Sequence, residues 1–365
     1  MASSSQADVG SVRIPPGGFR RIAVLRLSSL GDVILALPVV HELARAFPGA
    51  RLEFWTKEEY ADVVRFDPAI THVRRLEADA RRIEDLVSMS AELEDCDLIV
   101  DLHGSLRTRL LAFRQRAPVL RAASFRVGRA RWVRARWTRP GPLPRALERY
   151  SLALQPSGLA STEAPRVTAG PAAEVWAEEW LGGWAGDGTL VALCPGVRHA
   201  TKRWPEEHWT QLHRSLRERG ACLLYLSLES ERRSLPALAA CVEADPQARW
   251  CTEPLSRMAA VLARCAGAVT HDSGLMHLAA ARGTRVVALF GSTSPVLGFA
   301  PAGEGHVVLC RDEPCQPCTL HGRERCPKGH FDCMRKLAPE RVVDALGFAR
   351  GPDARGAGAG VAPTL

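Results

Sequence analysis

Two stretches of the chain combine residue types and spacings suited to holding an anion. In Ala268-Val-Thr-His-Asp-Ser-Gly-Leu-Met-His-Leu-Ala-Ala-Ala281, a short apolar run passes through Asp272-Ser273-Gly274 into an alanine-rich, helix-forming segment. Near the start, Arg21-Ile-Ala-Val-Leu-Arg-Leu27 leads into Ser28-Ser-Leu-Gly-Asp-Val33 in the same way. The first turn of a helix presents unpaired backbone N–H groups and the positive end of its dipole, so a diphosphate is bound there with few side chains. Asp272, Ser273 and Asp32 can also act as ordinary helix caps. Two such junctions in one chain favour the anion-site reading and point to two domains facing each other.

Two further groups carry chemistry. Cys315-Gln-Pro-Cys318, followed by Cys326, His330 and Cys333, has metal-ligand character, and a tetrahedral zinc at Cys315, Cys318, Cys326 and Cys333 would staple a loop with little structure of its own. The spacing is not that of a standard finger or ferredoxin, so disulfides and simple packing stand beside structural zinc. The run Arg107, Arg109, Arg114, Arg116, Arg121, Arg126, Arg129, Arg131, Arg134, Arg136 and Arg139 interleaves with Phe113, Phe125, Trp132 and Trp137. Such a stretch suits single-stranded nucleic acid by charge and stacking, an anionic membrane surface, or plain solvation.

The elements that must position these groups follow from composition and pattern. With 365 residues, 46% of them hydrophobic and 24% charged, the chain can bury two separate cores. A net charge of +8 implies an acidic partner without choosing one. The first residues lack the basic and apolar regions of a secretory signal, and no apolar run is long enough to span a bilayer, so the expectation is a soluble, cytoplasmic protein. Cys96, Cys194, Cys222, Cys241, Cys251 and Cys265 sit singly in apolar contexts, as reduced thiols do.

Strands are expected at 21–27, 51–55, 96–102, 190–194, 221–226, 266–271 and 285–290, with helical periodicity between them and a first helix over 33–47. That alternation specifies parallel sheets wrapped on both faces, whose ligands bind beyond the carboxyl ends of the strands. The turns at 28–32, 103–105, 195–203, 271–275 and 291–295 all occupy such positions. Ser-, Ala-, Gly- and Pro-rich sequence over about 156–171 marks a linker. The expected layout is a loose leader at 1–18, a domain at 19–165, a second at 166–348 with a Cys-rich loop at 310–333, and a disordered tail at 349–365.

Neither G-x-G-x-x-G nor G-x-x-x-x-G-K-[ST] follows any of these strands, which argues against standard dinucleotide and P-loop sites. Leu27-Ser-Ser-Leu-Gly-Asp-Val-Ile-Leu-Ala-Leu-Pro38, Asp97-Leu-Ile-Val-Asp-Leu-His-Gly-Ser105, Lys202-Arg-Trp-Pro205 with Trp209, Asp272-Ser-Gly-Leu-Met-His-Leu-Ala-Ala280 and Leu289-Phe-Gly-Ser-Thr-Ser-Pro295 resemble the family 9 glycosyltransferases, the lipopolysaccharide heptosyltransferases. The Lys-Arg-Trp-Pro element is most similar to the type II branch. The resemblance implies an α/β protein of GT-B architecture, two Rossmann-like parallel-sheet domains facing across a cleft. It also implies inverting, metal-independent transfer from an ADP-heptose donor to a phosphorylated lipid A–Kdo core acceptor at the inner face of the inner membrane.

On these residues the resemblance places Asp32 as general base and Lys202 on the donor phosphates. The amides of Ser273, Gly274 and Leu275 complete the helix-end site. Asp272, itself an anion, would hold a sugar hydroxyl or order the turn. His277 either donates to the diphosphate or packs structurally, and Glu231 either accepts from the ribose or is a solvated charge. The acceptor would meet Ser29, Gly31, His103, Arg126 and Arg129. The turn at 196–201 departs from the branch pattern, which bears on donor selectivity. No catalytic cofactor is expected, and nucleic acid is disfavoured as a partner. Two alternatives remain: a family 9 enzyme using another nucleotide sugar or surface glycan, and a non-catalytic binding protein, against which Asp32, Lys202 and the 272–274 turn together argue.

Overall fold

The computed structural model describes residues 12–76, 89–113, 115–134, 143–186 and 188–348. The expected tail, most of the leader, and Arg114, Arg136, Trp137 and Arg139 of the basic run lie outside them.

The chain forms two all-parallel sheets. The first holds β1 (Arg21–Leu25), β2 (Arg51–Lys57), β3 (His72–Leu76), β4 (Leu98–Asp101) and β5 (Val119–Arg121), in the order β3-β2-β1-β4-β5. The second holds β6 (Leu190–Cys194), β7 (Cys222–Leu226), β8 (Ala248–Cys251), β9 (Gly267–His271), β10 (Val286–Phe290) and β11 (Val307–Cys310), in the order β11-β10-β9-β6-β7-β8. Every residue of β4, β6, β7, β9 and β10 is buried, as strands covered by helices on both faces must be. This is the expected α/β, GT-B arrangement. Between them, residues 159–170 form neither helix nor strand, although Arg282 Nη1 donates to Val167 O at 2.7 Å and fixes that segment to the second half.

Each sheet reverses strand order once, between β1 and β4 in the first and between β6 and β9 in the second. A crevice opens where neighbouring strands send their connections to opposite sides, so these reversals dictate where ligands bind. The segments leaving β1, β4, β6 and β9 carry Asp32, His103, Lys202 and Asp272.

The first helix starts at Leu30, not at Val33, and runs to Ala46, with extended Ser29 before it. Asp32 is therefore the third helical residue and not the cap itself. At the domain junction the helix Gly274–Ala281 abuts the first helix glycine to side chain, in both directions. A Cβ on Gly31 would collide with the His277 ring, and one on Gly274 would lie 2.7 Å from Leu30 Cβ. The halves are joined again where Ala146 N donates to Gly298 O at 2.9 Å and Arg145 Nη2 to Pro301 O at 3.2 Å.

Candidate active site

A cavity of about 620 Å³ lies between the two halves. Its first wall carries Asp32, Ser29, Gly31, His103, Arg126 and Arg129; its second carries Lys202, Asp272, Ser273, Gly274 and His277. Most of the residues expected at the site thus share one space.

Asp32 is held at both oxygens. Tyr150 donates its hydroxyl to Oδ1 at 2.6 Å; Arg26 Nη2 meets Oδ2 at 2.8 Å, and Ser29 Oγ donates to Oδ2 at 2.9 Å. Burial by itself raises this carboxyl, but the Arg26 charge and the Tyr150 and Ser29 hydrogen bonds outweigh it, and the group sits at about 2. Some 17% of the side chain remains accessible from the cleft, so the ionised carboxylate can meet a ligand. Arg26 leaves the end of β1 and is fixed by donating Nη1 to Leu102 O at 2.6 Å, across the reversal point.

On the other wall the arrangement is inverted. Lys202 Nζ contacts Asp272 Oδ2 at 2.6 Å and Asp272 O at 3.1 Å, and Thr293 Oγ1 donates to the same carboxylate oxygen at 2.7 Å. Asp272 thus also anchors Lys202, beside the sugar contact or ordering of the turn expected of it. The lysine's own segment is pinned by its neighbour Trp204. Trp204 is buried, its backbone N–H donates to His271 Nε2 at 2.9 Å, and its indole N–H donates to Leu337 O at 2.9 Å. The Lys-Arg-Trp-Pro element therefore folds as a core-anchored tryptophan presenting a lysine.

The cleft imidazoles are uncharged near pH 7. Burial and the Arg26 charge push His103 down to about 4, and burial lowers His277 against the opposing pull of Asp272 and Asp32. Burial together with Arg129 and Lys202 lowers His321, which enters the cleft with Leu320 from the Cys-rich loop. Positive charge in the cleft therefore resides on Arg26, Arg126, Arg129, Arg149 and Lys202, against Asp32 and Asp272. That surplus suits an anionic ligand. Arg149 is buried, and its Nε and Nη2 lack hydrogen-bond partners among the described residues. Donors left in that state cost roughly 1–3 kcal/mol each.

Two expected donor residues lie apart from the cavity lining. The Leu275 side chain packs against the core, leaving its backbone amide at the helix start as its contribution. Glu231 accepts from Leu228 N at 2.9 Å, closing the turn at the start of the short helix Glu229–Arg233, and its carboxylate fills the space where Gly196 lacks a Cβ. It stands at the exit of β6, beside the segment leading to Lys202.

The Cys-rich loop is fixed to the second sheet by Gln316 Nε2, which donates to Phe290 O and Thr293 O, each at 3.1 Å, and by Cys318 N donating to Ser292 O at 3.0 Å. Cys315 Sγ lies 3.8 Å from His330 Nε2. Among the described residues no group of three or more His, Cys, Asp or Glu is arranged to hold a metal ion, and no disulfide forms. The four thiols expected to hold zinc nonetheless lie near one another, since Cys318, Cys315 and Cys326 all act electrostatically on the Cys333 thiol. Hydrogen bonds fix the loop to the sheet, and it brings Leu320 and His321 to the cavity.

Arg26, Tyr150, Arg149, Thr293, Phe299 and His321 all line or support the cleft without being singled out in the sequence. Tyrosine is scarce in the chain, with three residues, and that scarcity was the only available signal for Tyr150.

Comparison with known proteins identifies the family. The profile of glycosyltransferase family 9 (heptosyltransferase) matches residues 87–327. Lipopolysaccharide heptosyltransferase 1 of Pseudomonas aeruginosa is 30% identical over 373 aligned positions, covering 89% of this chain and 97% of that protein. Lipopolysaccharide heptosyltransferase 2 of Salmonella typhimurium is 33% identical over 168, covering 43% of this chain and 45% of that one. Relatives of both types appear, so the type II branch is not singled out. In fold, the structure of the ADP-heptose lipopolysaccharide heptosyltransferase II of Escherichia coli superposes with a TM-score of 0.68 at 19% identity, covering 90% of this chain and 97% of that one.

Proposed function

Because the chain belongs to glycosyltransferase family 9, the heptosyltransferases, we propose that it moves heptose from ADP-heptose to a lipid A–Kdo–heptose acceptor of the lipopolysaccharide inner core, with inversion and without a metal. The observation that carries this reading is the placement of Asp32 and Lys202 on opposite walls of one cavity, one from each half.

In this reading the acceptor lies along Ser29, Gly31, His103, Arg126 and Arg129, with its hydroxyl at Asp32. The donor diphosphate lies against Lys202 and the amides of Ser273, Gly274 and Leu275. There the helix end and the ammonium take up the negative charge that develops as the sugar–phosphate bond breaks. His277, neutral beside this site, donates to the diphosphate, and Glu231 at the β6 exit takes the ribose. Asp32 accepts the acceptor's proton as the new C–O bond forms on the opposite face of the sugar. A carboxyl held at about 2 is too weak to remove the proton beforehand. The attacking oxygen becomes acidic only as it bonds to the anomeric carbon, so proton transfer is late.

Peripheral contact with an anionic membrane belongs to the same reading. Leu106, Leu110, Phe113 and Val127 are exposed beside Arg107, Arg109 and Arg126, near the acceptor end of the cleft. No helix among the described residues is long and apolar enough to cross a membrane. Sedimentation with phosphatidylglycerol vesicles checks this contact.

The decisive experiment is calorimetric titration with ADP, UDP and GDP in metal-free buffer, followed by transfer from ADP-heptose. Selective ADP binding supports the donor assignment. A preference for UDP or GDP moves the protein to another nucleotide sugar.

A further inference from the structure

Arg149 is only 4% exposed, and the two nitrogens it leaves unpartnered are not arbitrary ones. Nε and Nη2 form one edge of the guanidinium, the edge that grips a two-oxygen acid side-on. Elsewhere in this protein, Arg45 holds Glu42 and Arg21 holds Glu53 through the same two atoms. At Arg149 the same edge meets no acid of this chain among the described residues. The nearby carboxylate, Asp32, has both oxygens engaged by Tyr150, Arg26 and Ser29.

The surroundings orient this edge without using it. The Phe299 ring lies 5.3 Å from the Arg149 guanidinium and 5.7 Å from that of Arg129, and the Tyr150 ring lies 5.7 Å from Arg149. Arg129 donates Nη2 to Ser124 O at 2.9 Å, while its Nε finds no partner among the described residues. Burial, and then the Arg149 charge, lower the pKa of Arg129, so the two cations stand close enough to repel. Two neighbouring arginines with buried, unpartnered N–H groups beside a cavity form a site for an oxyanion.

We infer that Arg149, with Arg129 beside it, is an anion subsite that grips a carboxylate or phosphate carried by the acceptor next to its reacting hydroxyl. The inference rests on reading the first wall as the acceptor side. By this role Arg149 determines specificity: an acceptor without an acid group at the right spacing is not turned toward Asp32. The unpartnered nitrogens are buried, so an acid that reaches them displaces the packing around them. Phe299 belongs to the second half, so the subsite is complete only when the halves meet.

The test titrates wild type, Arg149→Gln and Arg129→Gln with two probes, a free 3-deoxy-2-ulosonic sugar acid and inorganic phosphate. Saturating ADP keeps the donor phosphate site filled. Loss of a bidentate charged contact should weaken probe binding roughly tenfold or more in Arg149→Gln while ADP affinity is unchanged. Sugar-acid binding alone identifies a carboxylate, and phosphate binding identifies a phosphoryl group. Equal probe binding in all three proteins, or no binding to wild type, overturns the subsite. If Arg149→Gln also loses ADP, Arg129→Gln, with intact ADP binding, decides by the same criterion. Probe binding that depends on Arg149, together with absence of transfer from ADP-heptose, would sink the proposed function and leave the subsite standing.

Discussion

The two walls of the cleft use one device in opposite senses. On the first wall a carboxylate, Asp32, is held by a cation, Arg26, from the end of a central strand, and both line the cavity. On the second a cation, Lys202, is held by a carboxylate, Asp272, from the end of another, and both line the cavity. Each pair is largely buried, and each carboxylate has a hydroxyl donor, Tyr150 on one side and Thr293 on the other. The difference teaches that a buried ion pair is not one kind of feature. In the proposed mechanism the first pair takes a proton and the second neutralises a leaving group.

Asp32→Asn breaks the comparison most severely, because it removes the proton acceptor and keeps the shape. Transfer should fall by about 10²–10⁴-fold, the usual worth of a positioned general base, while ADP affinity measured by calorimetry stays within about twofold. Equal loss of both would make Asp32 structural. Lys202→Ala comes next, and it should differ in kind. Donor affinity and turnover both drop, affinity by roughly 10–100-fold, equivalent to a charged hydrogen bond of about 1.5–3 kcal/mol. Unchanged ADP binding would remove Lys202 from the phosphate site.

Tyr150→Phe sharpens the contrast through pH. Tyr150 helps hold Asp32 at about 2, below its ordinary 3.8, so removing the hydroxyl lets the carboxyl rise. The acidic limb of the rate profile should move upward in pH, with a smaller effect at pH 7. The sign for stability follows from the same depression. The folded pKa lies below the unfolded one, so the contribution, roughly 2 kcal/mol, is present above the unfolded value and is lost as pH falls through about 2. Acid titration of wild type against Tyr150→Phe, followed by circular dichroism, reads it. The smallest expected effect comes from chelation: dialysis against EDTA should leave the transfer rate within about twofold, because protein groups neutralise the diphosphate.

Sequence reading found the strands that lie inside the sheets and passed over those at their edges. β3, β5, β8 and β11 are the four outermost strands. β3 reads His-Val-Arg-Arg-Leu, and β5 is three residues long. With one side open to solvent, such strands need no continuous apolar run, so the signal that revealed β6 or β9 is absent. The misplaced start of the first helix has a different cause. Ser29-Leu-Gly-Asp32 carries a serine three residues ahead of an acid, a helix-start pattern that local reading could have used. The groups around Asp32 were beyond local reading altogether. Tyr150 reaches it across 118 positions, and Arg149 and Phe299 meet only through the domain junction. Lys202 was legible as a motif, but its attachment to Asp272 joins segments 70 positions apart.

The glycine contacts at the junction carry a consequence for building hybrids. Leu30 and Gly31 fit His277 and Gly274 as two halves of a single moulding, each bulky residue occupying the space its opposite glycine leaves empty. A chimera that grafts another family member's second half onto this first half therefore inherits a steric matching condition at these four positions, in addition to any requirement set by substrate contacts. The junction of such a hybrid closes as it does here only when the four travel together.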